Sequence, residues 1–248
     1  MNENKSVFIK EYQLSSYHVN VHGNLTMPML LNFIIEVAGE HASRNGFGFE
    51  AVMELQKTWV LSRMKVRMEK YPVYLDTIRV KTWVRTVEKY FSERNFEFSD
   101  AQGNVLGGAI TSWAAIDLRT RRPTLVTDIP YGIELYPDRM ALADGVEKLG
   151  EVSAAEYSEP VAVKFFDLDL NKHVTTVRYV EWVLDQYPFE FLSAHKMRTL
   201  EVQFMRETFI GERVVVGSEP IGLLRSHVIL SENRDKEMTR LRFEWSGI

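Results

Sequence analysis

The chain contains no cysteine. Disulfides, thiolate metal ligands and a cysteine nucleophile are therefore excluded. It also lacks a run of ~18 apolar residues, the length that a bilayer-spanning helix needs. The nearest stretch, Thr26 to Ala38, is interrupted by Asn32 and Glu36. A basic excess is missing too: 30 Lys and Arg stand against 34 Asp and Glu, for a net charge of −4. That balance provides no nucleic-acid footprint, and no basic reading helix is visible. Alternating Arg63, Lys65 and Arg67 read as a solvated sheet face. The first ten residues have no apolar core of signal-peptide length, so a cytoplasmic location is expected. The few histidines have no metal-ligand grouping, and no cofactor is called for.

What is present centres on residues 166–182, Phe-Asp-Leu-Asp-Leu-Asn-Lys-His-Val-Thr-Thr-Val-Arg-Tyr-Val-Glu-Trp. Asp169, Asn171 and His173 stand at i, i+2 and i+4. In an extended segment that spacing points all three side chains to one face. An amphipathic helix, expected over about Val174–Gln186, follows directly. Unpaired N–H groups at a helix start favour an anion or a polarised carbonyl. The set suits hydrolysis of an acyl group. Spacing alone leaves a blander reading open, since Asp and Asn before a helix are ordinary caps and a lone His is commonly structural.

The 248 residues, 45% of them apolar, suffice for a substantial core. They carry a weak internal repeat. Tyr17-His-Val-Asn-Val-His-Gly-Asn-Leu-Thr aligns with Phe166-Asp-Leu-Asp-Leu-Asn-Lys-His-Val-Thr at an offset of 149. Tyr74-Leu-Asp-Thr-Ile-Arg-Val resembles Phe209-Ile-Gly-Glu-Arg-Val-Val further on. Each half reads as a short strand, an apolar helix and four strands. In the first half the strand is near Val7–Gln13 and the helix at about Met27 to Asn45, with Thr26 as its N-cap. In the second half a strand is expected over Ser158–Phe166 before the helix. The expected organisation is one unit over 1–118, a linker over 119–156 holding Pro123, Pro130 and Pro137, and a second unit over 157–248. A sheet too wide to stay flat curls around its helix. The expected fold is thus α+β: a tandem, or double, hotdog, with two antiparallel sheets each wrapped around a long central helix.

Four segments give the chain a resemblance to a known family. They are Asp167-Leu-Asp-Leu-Asn-Lys-His-Val with Tyr179, Trp182 and Leu184; Thr199-Leu-Glu-Val-Gln-Phe-Met-Arg-Glu; Thr58-Trp-Val-Leu-Ser-Arg-Met-Lys-Val with Tyr71-Pro72; and Trp113-Ala-Ala-Ile-Asp-Leu-Arg-Thr-Arg-Arg-Pro. Across nearly its whole length the chain resembles the acyl-ACP thioesterases of plant plastids and their bacterial relatives. The resemblance implies hydrolysis of a fatty acyl thioester on acyl carrier protein, ending fatty acid synthesis. It implies that Asp169, Asn171 and His173 are catalytic in the second unit, joined by Glu207 from a following strand. Many plant members have a cysteine after that glutamate, where this chain has Thr208.

In such a site His173 can act as general base, its ordinary pKa being ~6.5. Glu207 can orient the imidazole or share in activating water. Asn171 can hold a water or the substrate carbonyl. Asp169 is open as base, nucleophile or orienting group, and backbone N–H groups at the helix start are the expected oxyanion donors. Asp167 shares parity with Asp169, so spacing does not separate them. In the first half Asn20, His22 and Asn24 replace the catalytic set, and Pro72 falls where Glu207 is expected. That half is read as the acyl-chain holder, with Met29, Phe33, Ile34 and Val37 as pocket candidates beside their alternative fate as core. Lys172 is the candidate for docking an acidic carrier protein. A homodimer stays open. The rival readings are an acyl-CoA thioesterase, a hotdog dehydratase or hydratase, and a non-enzymatic acyl-binding module.

Overall fold

The structure, a computed structural model, describes residues 5–247. Residues 1–4, on which part of the leader-peptide reading falls, lie outside the described residues. The chain divides into two compact units, Met1–Val146 and Glu147–Ile248.

In the first unit, strand β1 (Val7–Gln13) leads through a 3₁₀ turn (Ser16–His18) to helix α1 (Met27–Arg44). A short helix α2 (Phe49–Glu54) follows, then β2 (Lys57–Met68), β3 (Thr77–Glu88), β4 (Phe91–Asp100), β5 (Val105–Asp117) and β6 (Pro123–Thr124). The strands are antiparallel in the order β1-β3-β4-β5-β2, with β6 on β5. α1 begins where it does because Thr26 Oγ1 accepts the Met29 N–H at 3.3 Å and Pro28 fits the first turn. Leu30, Leu31, Phe33, Ile34, Val37 and Ala38 form its buried side. Each large one contributes about 1.5–3 kcal/mol by leaving water. Its outer face carries Glu36 and Glu40, which take Lys10 of β1 at 2.7 and 2.8 Å.

The second unit repeats the plan with β7 (Glu156–Tyr157), β8 (Val161–Ala162), a 3₁₀ turn (Phe165–Asp167), α3 (Thr176–Leu184) and α4 (Phe189–Ala194). Strands β9 (His195–Phe204), β10 (Arg213–Ile221), β11 (Leu224–Ser231) and β12 (Glu237–Gly247) complete it. The sheet order is β9-β12-β11-β10-β7, with β8 also on β10. Val177, Tyr179, Val180, Trp182 and Val183 are the buried side of α3.

Two expectations change here. Residues 158–166 are not one strand. Pro160 has no N–H to donate, and only the two-residue β7 and β8 pair with β10 before the 3₁₀ turn begins. The face bearing Lys65 and Arg67 is only partly solvated. Residues 136–144 run over it: Tyr136 N–H donates to Val84, Trp83 Nε1 to Arg139, and Ala141 N–H to Asn95 Oδ1. Asp144 then closes on both Lys65 and Arg67. Lys65 is 6% exposed as a result.

Lys65 first, with Arg67 and the Asp144 amide, holds the Asp144 carboxyl down at about 2. A depressed carboxyl contributes stability that is present above the ordinary range near ~4 and is lost as pH falls through its folded value. Asp144 is half-exposed, so solvent screening keeps the pair at about 1 kcal/mol or less. The expected result is that exchange of the Ala141 amide accelerates between about pH 4 and 2, measured by hydrogen exchange corrected for intrinsic rate. Asp144→Asn is expected to show the faster exchange already at pH 6. A variant that exchanges like the parent at pH 6 removes this pair from the anchorage.

Candidate active site

The segment 169–173 is a tight turn and not an extended strand. Asp169 N–H donates to the His173 carbonyl at 2.8 Å, and Lys172 N–H to the Asp169 carbonyl at 3.0 Å. The Asp169 side chain staples the turn from within: its Oδ1 accepts the N–H of Asn171 at 2.8 Å and of His173 at 3.2 Å. Lys172 takes a left-handed φ of +63° to close it. The single-face argument for Asp169, Asn171 and His173 therefore fails. An Asx carboxylate two and four residues upstream of N–H donors competes with strand formation and wins. Asp169 and Asn171 are exposed, and His173 is partly buried.

The turn is stitched to the loop after β9. Val174 N–H donates to the Thr208 carbonyl at 2.9 Å, and His173 bridges Phe209. This pairing brings Glu207, which lies beyond the end of β9 and not in a strand, to His173. Glu207 Oε1 is 3.3 Å from His173 Nδ1. The imidazole also meets Phe209 edge-on, with ring centroids 4.9 Å apart. Carboxylate below and aromatic edge beside it restrict the ring to a narrow range of orientations. Beneath the loop, Thr208 is fully buried. Burial pushes the Tyr179 phenol up to about 12, with the Thr208 hydroxyl and amide pulling the other way and Glu212 and Glu207 adding to the rise.

Helix α3 starts at Thr176, two residues later than expected. The Val174 and Thr175 N–H groups are committed to the carbonyls of Thr208 and Asp167, so neither is an oxyanion donor. Any helix-start donor must come from Thr176 onward. Asp167, which spacing could not separate from Asp169, is 3% exposed and belongs to the interior. Sequence reasoning did not assign it a role.

The first unit contains the same turn built from other residues. Asn20 Oδ1 accepts the N–H of His22 at 3.0 Å and of Asn24 at 3.1 Å. Asn20 N–H reaches the Asn24 carbonyl at 2.8 Å, and Gly23 has φ +74° where Lys172 has +63°. Leu25 N–H donates to Pro72 as Val174 N–H donates to Thr208, and Asn24 bridges Val73 as His173 bridges Phe209. Pro72 thus corresponds to Thr208, and Tyr71 takes the place of Glu207. The sequence match of Tyr74 with Phe209 is one residue out of step, because Val73, the partner of Asn24, is the true counterpart of Phe209, the partner of His173. Burial raises the Tyr71 phenol well above its ordinary value, so this position holds no anion at neutral pH.

Of the α1 candidates, Phe33 is 4% exposed, and Ile34 and Val37 are completely buried. Phe33 stacks on Tyr12 at 4.0 Å between centroids and meets His18 edge-on at 5.2 Å. Met29 alone of the four keeps part of its surface accessible. Lys172 is exposed at the bend of the turn. Arg178 ties to Glu181 at 2.7 Å and to Asp167 at 2.7 Å.

Two family models match this chain one after the other: the acyl-ACP thioesterase N-terminal domain over residues 5–131 and the acyl-ACP thioesterase C-terminal domain over residues 150–247. The chain belongs to the acyl-ACP thioesterase family. A chloroplastic palmitoyl-acyl carrier protein thioesterase of Gossypium hirsutum is 30% identical over 81% of this chain and 52% of its own length. The crystal structure of an acyl-ACP thioesterase from Bacteroides thetaiotaomicron superposes with a TM-score of 0.89 at 28% identity, covering 99% of this chain and 100% of that one. The 12:0-ACP thioesterase of Umbellularia californica, at 24% identity, shares the fold with a TM-score of 0.85 over 98% of each chain. The fold is the tandem hotdog of this family. The chain spans about half the length of the curated plant relatives it matches, 52% and 59% in two of them. Those relatives are chloroplastic proteins, so the cytoplasmic location expected from the sequence is withdrawn. No helix among the described residues is long and apolar enough to cross a membrane.

Proposed function

We propose that this chain hydrolyses fatty acyl-ACP to free fatty acid and ACP, and that His173 and Glu207 carry the chemistry. The observation that carries this reading is the 3.3 Å approach of Glu207 Oε1 to His173 Nδ1, beside the start of α3. Glu207 accepts a hydrogen bond from Nδ1–H, which keeps that proton on Nδ1 and leaves Nε2 as the basic nitrogen. Nε2 takes a proton from water, whose oxygen forms the new bond to the thioester carbonyl carbon. When the carbon–sulfur bond breaks, the imidazolium returns that proton to the departing thiolate. Asn171 holds the water or the carbonyl, as its amide can do either. Asp169 acts as an orienting group, since one of its oxygens already holds the backbone N–H of both Asn171 and His173. Thr208 has no chemical role here, being fully buried beneath the loop.

The second unit is the catalytic one and the first holds the acyl chain. Asn24 and Tyr71 replace His173 and Glu207 in the first, so neither a histidine nor a carboxylate stands at those two positions. The carrier is tested by thiol release from acyl-ACP and acyl-CoA of equal chain length. Higher kcat/KM on the ACP substrate is expected, and equal values overturn the carrier assignment while leaving the hydrolase. Lys172 is proposed as a docking cation. Lys172→Glu is expected to raise KM for acyl-ACP several-fold, weaken its salt dependence, and leave hydrolysis of a small acyl thioester nearly unchanged. Equal losses on both substrates place Lys172 in support of the turn instead.

A further inference from the structure

Asp167 is a buried carboxylate beside the catalytic turn that the chemistry above does not use. Three of its contacts bracket the turn. Its Oδ2 accepts the Lys164 N–H at 2.7 Å, on the entry side. Its carbonyl accepts the Thr175 N–H at 2.8 Å, on the exit side, two residues after His173. Its Oδ1 takes Arg178 Nε at 2.7 Å, on the first turn of α3. Arg178 in turn donates from Nη1 to Glu181 at 2.7 Å. One residue therefore ties the 3₁₀ turn, the end of the catalytic turn and the helix to each other.

The first unit shows how much of this the fold alone requires. His18 occupies the corresponding place: its Nδ1 accepts the Ser15 N–H at 3.0 Å, and its carbonyl accepts the Thr26 N–H at 3.0 Å. The backbone clasp is thus met by a side chain whose pKa burial lowers, and the place of Arg178 is filled by Met29. Folding of such a turn does not need a charged pair. The chemical unit adds one, although burying a carboxylate is costly unless it is paired. We infer that Asp167, through its hold on Arg178 and the Thr175 amide, is a positioning residue that fixes the His173 end of the catalytic turn against α3. It touches no reacting atom. A misplacement of about 1 Å at a catalytic group costs on the order of 100-fold in rate, and a charge-assisted clasp is the stiffer of the two solutions.

The inference rests on His173 as the base, so His173→Ala belongs in the same experiment. Asp167→Asn, Arg178→Met and the double variant are assayed on one acyl thioester well below their melting temperatures. Asp167→Asn is expected to lower kcat about 10- to 100-fold with KM within about twofold. Arg178→Met, which leaves the Lys164 and Thr175 contacts intact, is expected to lower kcat in the same direction, and the double variant is expected to lose no more than Asp167→Asn alone. Folded Asp167→Asn with parental kcat and only a lower Tm overturns the inference. Should Asp167→Asn fail to fold, Arg178→Met decides: parental kcat there overturns it and reduced kcat supports it. Turnover that survives His173→Ala instead overturns the catalytic reading itself.

Discussion

His173→Ala and Glu207→Ala are each expected to lower kcat by at least about 100-fold with the fold retained, the scale of losing a general base or the group that orients it. Steady-state kinetics alongside Tm checks this. Near-parental turnover in either folded variant removes that residue from the mechanism. The structure also supplies the right companion substitutions. Asp169→Asn keeps a side-chain oxygen in place for the Asn171 and His173 N–H groups, as Asn20 does in the first unit. It therefore removes the charge without removing the staple. An orienting role predicts substantial residual turnover in Asp169→Asn and a far larger loss in Asp169→Ala. Thr208→Ala is expected to stay active, since the Thr208 hydroxyl has no place in the reaction.

Ile34→Ala is expected to cost about 2–5 kcal/mol in stability, because a completely buried Ile in a packed core leaves both lost transfer energy and a cavity. Val37→Ala falls at the lower end of the same scale. Neither is expected to alter the preference among acyl chains of different length. Met29→Ala, on the accessible side of α1, is expected to cost little stability and to shift that preference. Chemical denaturation and a chain-length panel on the same preparations separate the outcomes. A changed preference in Ile34→Ala, with a small loss of stability, returns Ile34 to the pocket.

Long periodic elements were legible in the sequence. β1 and α1 stand nearly where the sequence and the Thr26 cap put them. Helices α2 and α4 were not legible, since six residues are too few to show a 3.6-residue period. The candidate site was legible as residue types and not as geometry. Asp169, Asn171 and His173 could be picked out, but the reason for their spacing is an Asx staple closing a turn, which period-two reasoning cannot represent. Glu207 came only with the family resemblance, because its neighbour is fixed by the pairing of Thr208 and Phe209 with the turn, a contact between segments more than 30 residues apart. Asp167 went unassigned for a related reason: burial, not sequence position, distinguishes it from Asp169. The basic alternation at Arg63, Lys65 and Arg67 misled because the covering segment has no periodicity of its own to announce it.

The two turns differ in side chains that include Asn20 for Asp169, His22 for Asn171, Asn24 for His173, Tyr71 for Glu207 and His18 for Asp167. Their backbones close with the same hydrogen bonds. On the proposed reading, gain or loss of a reactive centre in a duplicated chain of this kind is a change of side chains on a turn whose backbone hydrogen bonds stay the same. A gene copy is free to drift away from chemistry without drifting away from shape. A single-unit relative of either half cannot be classed as enzyme or bystander by its architecture; on the proposed reading, the distinction lies in side chains such as these.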